Sequence, residues 1–207
     1  MPITPKGAEG TVQFGLSNVY IASVTETRDP ITGAITTAYG TPKAWPGAVK
    51  MTLNSKATLT DTYADNGIYF TVESNPGYDG TFESMKVPEW AAAELLGRTV
   101  DNNGMLIETS EDRGNYFALL FEVDGDTFPT RFVYYKCKLS QPSGDWETTN
   151  ESGATPKTAS ATLKILPRGD IDVIDGINRH AIAGTCSPTA DATKYDGFFS
   201  AVLEPDV

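Results

Sequence analysis

The residues of this chain that could do chemistry are few and scattered. There is one histidine, His180, in "INRHAIAG". The sequence contains no His-Glu-x-x-His, no Gly-x-Ser-x-Gly and no phosphate-binding loop. A catalytic triad could be assembled only by joining His180 to an arbitrary Ser and Asp, so a structural role outweighs a catalytic one. Cys137 and Cys186 are the only cysteines, and neither belongs to a Cys-x-x-Cys pair. They read as reduced, buried thiols acting as small hydrophobes. Asp170, Asp172 and Asp175 in "RGDIDVIDG" approach the spacing of a calcium loop. The third acid falls one residue late, however, and Ala181 stands where an EF-hand closes on glutamate. A solvated turn is the better reading. Trp45, Trp90 and Trp146 could line a sugar site, but aromatics in strands and helices more often fill cores. The expectation is a chain without enzymatic activity, cofactor or metal.

What the sequence does concentrate is negative charge. Residues 61–126 hold fourteen acids and three bases, which accounts for the whole net charge of −11; the rest of the chain balances. A protein that grips phosphates needs the opposite sign. The acids can serve as a solubilising surface, as a surface that repels polyanions, or as one that meets a basic partner. The acid candidates are Asp61, Asp65, Glu73, Asp79, Glu83, Glu122, Asp124 and Asp126. The candidate bases of a facing surface are Lys50, Lys56, Lys136 and Lys138.

The elements that must position these residues read as mainly β. Gly, Thr, Tyr, Phe and Val are plentiful and helix formers sparse, a composition that favours strands. Residues 12–24 form a long strand with Val19 and Ile21 on one face and Tyr20 on the other. Turn residues after it allow 35–39 to return as a hairpin partner. Further strands are expected at 49–53, 68–73, 81–87, 116–123, 130–139 and 160–167. Asp-Gly between the aromatic runs at 116–123 and 130–139 is the strongest hairpin signal. Asn75-Pro76-Gly77 and Asp79-Gly80 mark a turn. The segments 54–66 and 141–158 read as long polar loops, which in compact domains are usually functional or interfacial. One helix is expected at 88–97, with Pro88 at its first position, Glu89 in the first turn and Gly97 closing it. Its buried face would carry Trp90, Ala93 and Leu96. Near the end, Tyr195, Phe198, Phe199 and Val202 follow helical spacing, against which Gly197 argues. The start has no signal-peptide pattern, and no apolar run is long enough to span a bilayer, so the chain is expected to fold in a cytoplasm without inserting into a membrane.

Set in order, these segments resemble a known family. "YADNG" (63–67), "ESN" (73–75), "GYDGT" (77–81) and the Pro-to-Gly helix at 88–97 are similar to the signature of the major tail tube protein of long-tailed, non-contractile phages, in the family common among phages of Gram-positive bacteria. "GLSNVYIASVTE" (15–26), "DNNGMLIE" (101–108), "FALLFEVDGDTFPTRFVYYKC" (117–137) and "YDGFFSAVLEP" (195–205) follow colinearly, so the likeness covers most of the chain. Residues 168–184 depart from the pattern.

The resemblance implies a structural virion protein. Its fold would be a β-sandwich or barrel-like pair of antiparallel sheets with one short flanking helix. It would span 1–207 as a single domain, with 54–66 and 141–158 as inter-subunit loops and 195–207 as a C-terminal arm. Such subunits form rings, typically of six, that stack into the conduit for DNA ejection. The implied partners are further copies of itself, the tape measure protein, the tail terminator and the distal tail protein, with DNA passing without adhesion. The implied location is the phage tail, assembled in the host cytoplasm. The alternative is a monomeric β-sandwich binding module, for example for carbohydrate, which would show a surface strip of aromatics; a hydrolase on a β scaffold is disfavoured by the missing motifs.

Overall fold

A computed structural model describes residues 12–125, 127–148, 156–174, 176–188 and 191–205. In chain order the elements are β1 (Gln13–Arg28), β2 (Ile35–Tyr39), β3 (Lys43–Ala44), β4 (Ala48–Ser55), β5 (Thr58–Ala64), β6 (Gly67–Ser74), β7 (Tyr78–Ser84), α1 (Glu89–Leu96), β8 (Thr99–Val100) and β9 (Leu106–Ile107). They continue as β10 (Phe117–Gly125), β11 (Thr130–Leu139), β12 (Ala159–Leu166), β13 (Asp172–Ile174), β14 (Ile177–Arg179), β15 (Ala183–Cys186) and α2 (Ala192–Asp196). The expected mainly β, antiparallel fold is what the chain adopts. Its main body is one nine-stranded sheet in the order β2-β1-β10-β11-β12-β7-β4, with β3 on β1 and β15 on β11; β5-β6, β8-β9 and β13-β14 are separate two-stranded ribbons. No helix among the described residues is long and apolar enough to cross a membrane.

Alternation along the central strands splits the core into two faces. Phe117, Leu119 and Phe121 of β10 join Val19 and Ile21 of β1 and Leu163 and Ile165 of β12 on the inner face. Leu120, Val133 and Tyr135 face the other way. β10 is therefore buried on both sides from Phe117 to Glu122. Each large apolar side chain taken fully from water there contributes about 1.5–3 kcal/mol. A bulge in β11 keeps the inner face apolar: Phe117 pairs with Cys137 but Leu119 with Tyr134, so Phe132, Tyr134, Cys137 and Leu139 all reach the inner cluster. Two further bulges, at Gly15 and at Asn18–Val19, interrupt β1 against β10. Bulges bend and twist a strand locally.

Helix α1 lies on the inner face. Pro88 is its N-cap, extended at φ −61° and ψ 144°, instead of the first helical residue. Gly97 ends it in the left-handed conformation as expected (φ 80°), and a Cβ there would sit 2.6 Å from the Arg113 carbonyl oxygen. The buried positions are Ala91, Ala92, Leu95 and Leu96, a face rotated from the one expected. Trp90 instead lies at the edge of the cluster, its ring 6.2 Å from that of buried Trp45.

Two expectations about the first half change. Residues 58–64 are a strand, not part of a polar loop: Thr58, Thr60 and Thr62 all belong to a ladder with β6, and threonine suits that role as a β-branched residue. Asp79-Gly80 is not a turn. Gly80 lies within β7, paired with both Leu53 and Leu163, and a Cβ on it would lie 1.9 Å from the Thr52 carbonyl oxygen. A glycine inside a strand can mark close backbone approach as well as a bend.

The outer face is covered by the end of the chain. α2 stops at Asp196, with Gly197 following, so the helical spacing of 195–202 is realised only as one helical turn and a series of tight turns. Phe198 is nonetheless fully buried, and Phe199 stacks on Tyr20 at 4.8 Å. Residues 195–205 of the expected C-terminal arm thus pack on their own sheet; 206–207 lie outside the described residues.

Candidate assembly interface

The most exposed ordered region grows directly out of the sheet. β4 and β7 pair from Ala48↔Ser84 to Ser55↔Tyr78, and the ribbon continues through the Lys56 N–H to Gly77 O bond (3.0 Å) into β5-β6, Thr58↔Ser74 to Ala64↔Gly67. Asp65 and Asn66 at its tip both have positive φ, 51° and 64°, the backbone signature of a tight hairpin turn matched to strand twist. Every residue of β5 and β6 is exposed. This includes Leu59 (71%), Tyr63 (70%), Tyr69 (74%) and Phe70 (63%). Such an arm has no core of its own, and an isolated two-stranded hairpin is marginally stable at best in water.

Register divides the arm into unlike faces. Leu59 pairs with Glu73 and Asp61 with Thr71, whose hydroxyl donates to Asp61 at 2.7 Å. Thr60 pairs with Val72 and Thr62 with Phe70. Successive strand residues point to opposite sides, so Asp61 and Glu73 share one face and the other, from Thr58/Ser74 to Thr62/Phe70, carries no charge. Tyr69 is the extra residue of a bulge between Phe70 and Ile68.

A second feature, unfilled by any described residue, lies between β1 and β4. The inner-face rings Phe121, Phe132 and Tyr134 floor a groove of about 360 Å³, with Phe14 and Leu16 of β1 and Met51 and Leu53 of β4 as its walls. β4 is the last strand of the sheet path, and no described strand pairs with the outer edge of β1 before Tyr20.

The charged candidates fall into distinct settings. Asp61 and Glu73 are exposed on the arm and Asp65 is at its tip. Asp79 pairs with Lys56 at 3.0 Å across the ribbon junction, both half exposed. Glu83, half-buried, accepts from the Thr158 hydroxyl and is the register partner of exposed Lys50. Asp124 is half-buried beside Gly15. Asp126 lies outside the described residues, as does 149–155 of the second expected loop. Two candidates are corrected. Glu122 is buried, accepting from Arg131 Nε at 2.7 Å and from Asn18 at 3.0 Å. Lys136 donates to both carboxylate oxygens of Glu26, at 2.8 and 2.6 Å, under the Tyr116 ring. Both are spent inside the chain; Lys138 also sits over the Tyr116 ring, at 5.1 Å. Their alternation with apolar neighbours looks the same in sequence whether they face water or a buried partner.

Sequence reasoning missed the centre of the remaining polar network. Arg168 is buried, pairs with Asp170 and with Glu204 (2.9 Å), and lies 3.5 Å from Asp172. Its guanidinium is 5.5 Å from the centres of both the Tyr39 and Tyr135 rings. Burial opposes ionisation of Asp170, but the Arg168 guanidinium and the Thr37 hydroxyl outweigh it and hold the carboxyl below its ordinary range. Burial pushes the Tyr135 phenol up to about 12, against the pull of Arg168, and its hydroxyl donates to the Leu203 carbonyl at 3.0 Å. The acids that approached a calcium loop are thus engaged by an arginine; Asp175 lies outside the described residues. His180 is exposed, its Nδ1 2.8 Å from the Asp170 carbonyl oxygen. Among the described residues no group of three or more His, Cys, Asp or Glu is placed to hold a metal ion. Cys137 and Cys186 are buried and unbridged, and burial pushes both thiols up, away from the reactive thiolate. Trp45 is in the core while Trp146 is 88% exposed, so the tryptophans form no common platform.

No known family model and no curated protein matches the chain.

Proposed function

We propose that this chain is a self-assembling structural subunit that forms stacked rings, the tail tube of a long-tailed phage, through which DNA is ejected. The observation that carries this reading is the β5-β6 arm: a strand pair with aromatics on it that no other described residue covers. Monomeric proteins rarely expose large contiguous apolar patches and avoid free strand edges. An arm of this kind is suited to a partner, and the colinear resemblance to tail tube proteins names the partner as further copies of the chain. Contacts between unlike surfaces that do not close on themselves build filaments. Under this reading Asp61, Asp65 and Glu73 are the acids that face either a neighbouring subunit or the DNA path, where like charge would keep DNA from adhering.

Negative-stain microscopy of the purified protein over a concentration series tests the reading. Rings or tubes of uniform width are expected. A persistent monomer that binds a glycan overturns it in favour of a binding module. A tube whose lumen surface proved neutral or basic would sink the assignment of acids to the DNA path.

A further inference from the structure

The unfilled groove and the uncovered arm have matching chemistry, and they lie on different parts of the same chain. The groove is walled by Phe14 and Leu16 on one side and by Met51 and Leu53 on the other. Phe14 is 57% exposed. The wall strands also offer backbone: β4 ends the sheet, and β1 is unpaired by any described strand on its outer edge before Tyr20. The arm offers the complement, an uncharged face with Phe70 and Val72 flanked by threonines, on strands of seven and eight residues with one free edge each. β4 itself is eight residues long. The chain's own arm does not fill its own groove, since all of β5 and β6 is exposed.

We infer that the arm of one copy docks with its Phe70–Val72 face in the β1–β4 groove of a second copy. This rests on the assembly reading and adds to it which surface gives and which receives. Peptides commonly bind by adding a strand to an exposed sheet edge, with backbone bonds supplying affinity and side-chain pockets specificity. Here the edges of β1 and β4 supply the first and the aromatic floor the second. Because donor and acceptor surfaces differ, each copy can give and receive at once, so the contact propagates instead of stopping at a dimer. The Asp61–Glu73 face of the docked arm is turned away from the groove, as an acidic face should be when the groove is apolar.

The test uses two full-length variants. Phe70→Asp with Val72→Asp spoils the giving surface, and Phe14→Asp spoils the receiving one; all three sites are exposed, so the fold is expected to survive, checked by a thermal midpoint equal to that of the wild type at a dilution where both are monomeric. Light scattering coupled to size exclusion should find large assemblies for the wild type and monomers for each variant alone. An equimolar mixture should form a species of twice the monomer mass, because one intact arm still meets one intact groove and growth then stops. If the arm variant assembles like the wild type, or if the mixture stays monomeric, the inference is overturned while the assembly reading stands. Loss of assembly in Phe14→Asp but not in the arm variant also overturns it, and hands the groove to another occupant such as residues 1–11 of the same chain. A wild type that never leaves the monomeric state overturns both.

Discussion

The β5-β6 arm and the segment at 195–205 looked alike in sequence: each is aromatic, each is punctuated by turns, and each resembles a contact region of an assembling protein. In the structure they part company. The C-terminal segment is held by Phe198 in the outer core, by Phe199 on Tyr20, by the Tyr135 hydroxyl on Leu203 and by Arg168 on Glu204. Among the described residues the arm has only its own ladder and the Asp61–Thr71 bond. The difference lies in what the rest of the chain offers. Residues 168–186 supply the buried arginine that holds Glu204 and the strand β15 that extends the sheet beside β11. Nothing in the described residues supplies the arm with a second layer. An aromatic segment is therefore an assembly candidate only after the chain's own claims on it are known.

The sharpest way to break this comparison is at Arg168. Replacing it with Met keeps most of the volume but leaves Asp170 and Asp172 largely buried without their cation. Removing one partner of a buried charge network costs about 3–5 kcal/mol. Urea unfolding should show that loss. A loss below about 1 kcal/mol, the range of surface ion pairs, would mean that the C-terminal segment is held by packing alone. Phe198→Ala tests that packing directly. Truncating a fully buried Phe costs about 3–5 kcal/mol, and here it should also quench the burial of Tyr195 and Phe199, seen as faster proteolysis near the C-terminus. A C-terminus that stays protected would move the anchor elsewhere.

Smaller effects sharpen the same contrast. Tyr135→Phe removes the bond to Leu203 and leaves one carbonyl to water, so about 1 kcal/mol is expected in the same urea titration. Acid acts on Asp170. Its folded carboxyl titrates below the ordinary value of 3.8, so its contribution is complete above that value and is lost as the pH falls through the folded one. The thermal midpoint should drop in that acidic window and should depend less on pH there in Asp170→Asn. An identical profile in the variant would assign the acid sensitivity to other carboxylates.

Much of the fold was legible because it follows from local rules. The hairpin at 117–139, the end of α1 at Gly97 and the opposed faces of Val19 and Tyr20 each depend on a few neighbouring residues. What was not legible depends on distant ones. Gly80 reads as a turn until Thr52 is known to lie across from it. Glu122 and Lys136 read as surface charges until Arg131 and Glu26 are placed beside them. The polar run at 54–66 hid a strand because its hydrophobic positions are wide apart and its partner strand is itself exposed. For the candidate interface, the arm was located but called a loop, the groove was invisible because its walls are far apart in sequence, and the C-terminal segment was read outward when it turns inward.

The least effect on stability is expected where the effect on assembly is greatest. Phe70→Ser with Val72→Ser changes two exposed side chains that touch no buried cluster. Surface changes away from caps, cores and networks usually fall within about 0.5 kcal/mol. At protein concentrations low enough to keep the wild type monomeric, the urea midpoint should therefore not move beyond that range. At assembling concentrations the wild type should gain stability from binding itself, since anything that binds only the folded state raises apparent stability, and the variant should not. The midpoint of the wild type alone should then rise with concentration. A variant that is less stable than the wild type even in the dilute monomer would mean that the arm folds back onto its own chain, and the distinction between the two segments would collapse.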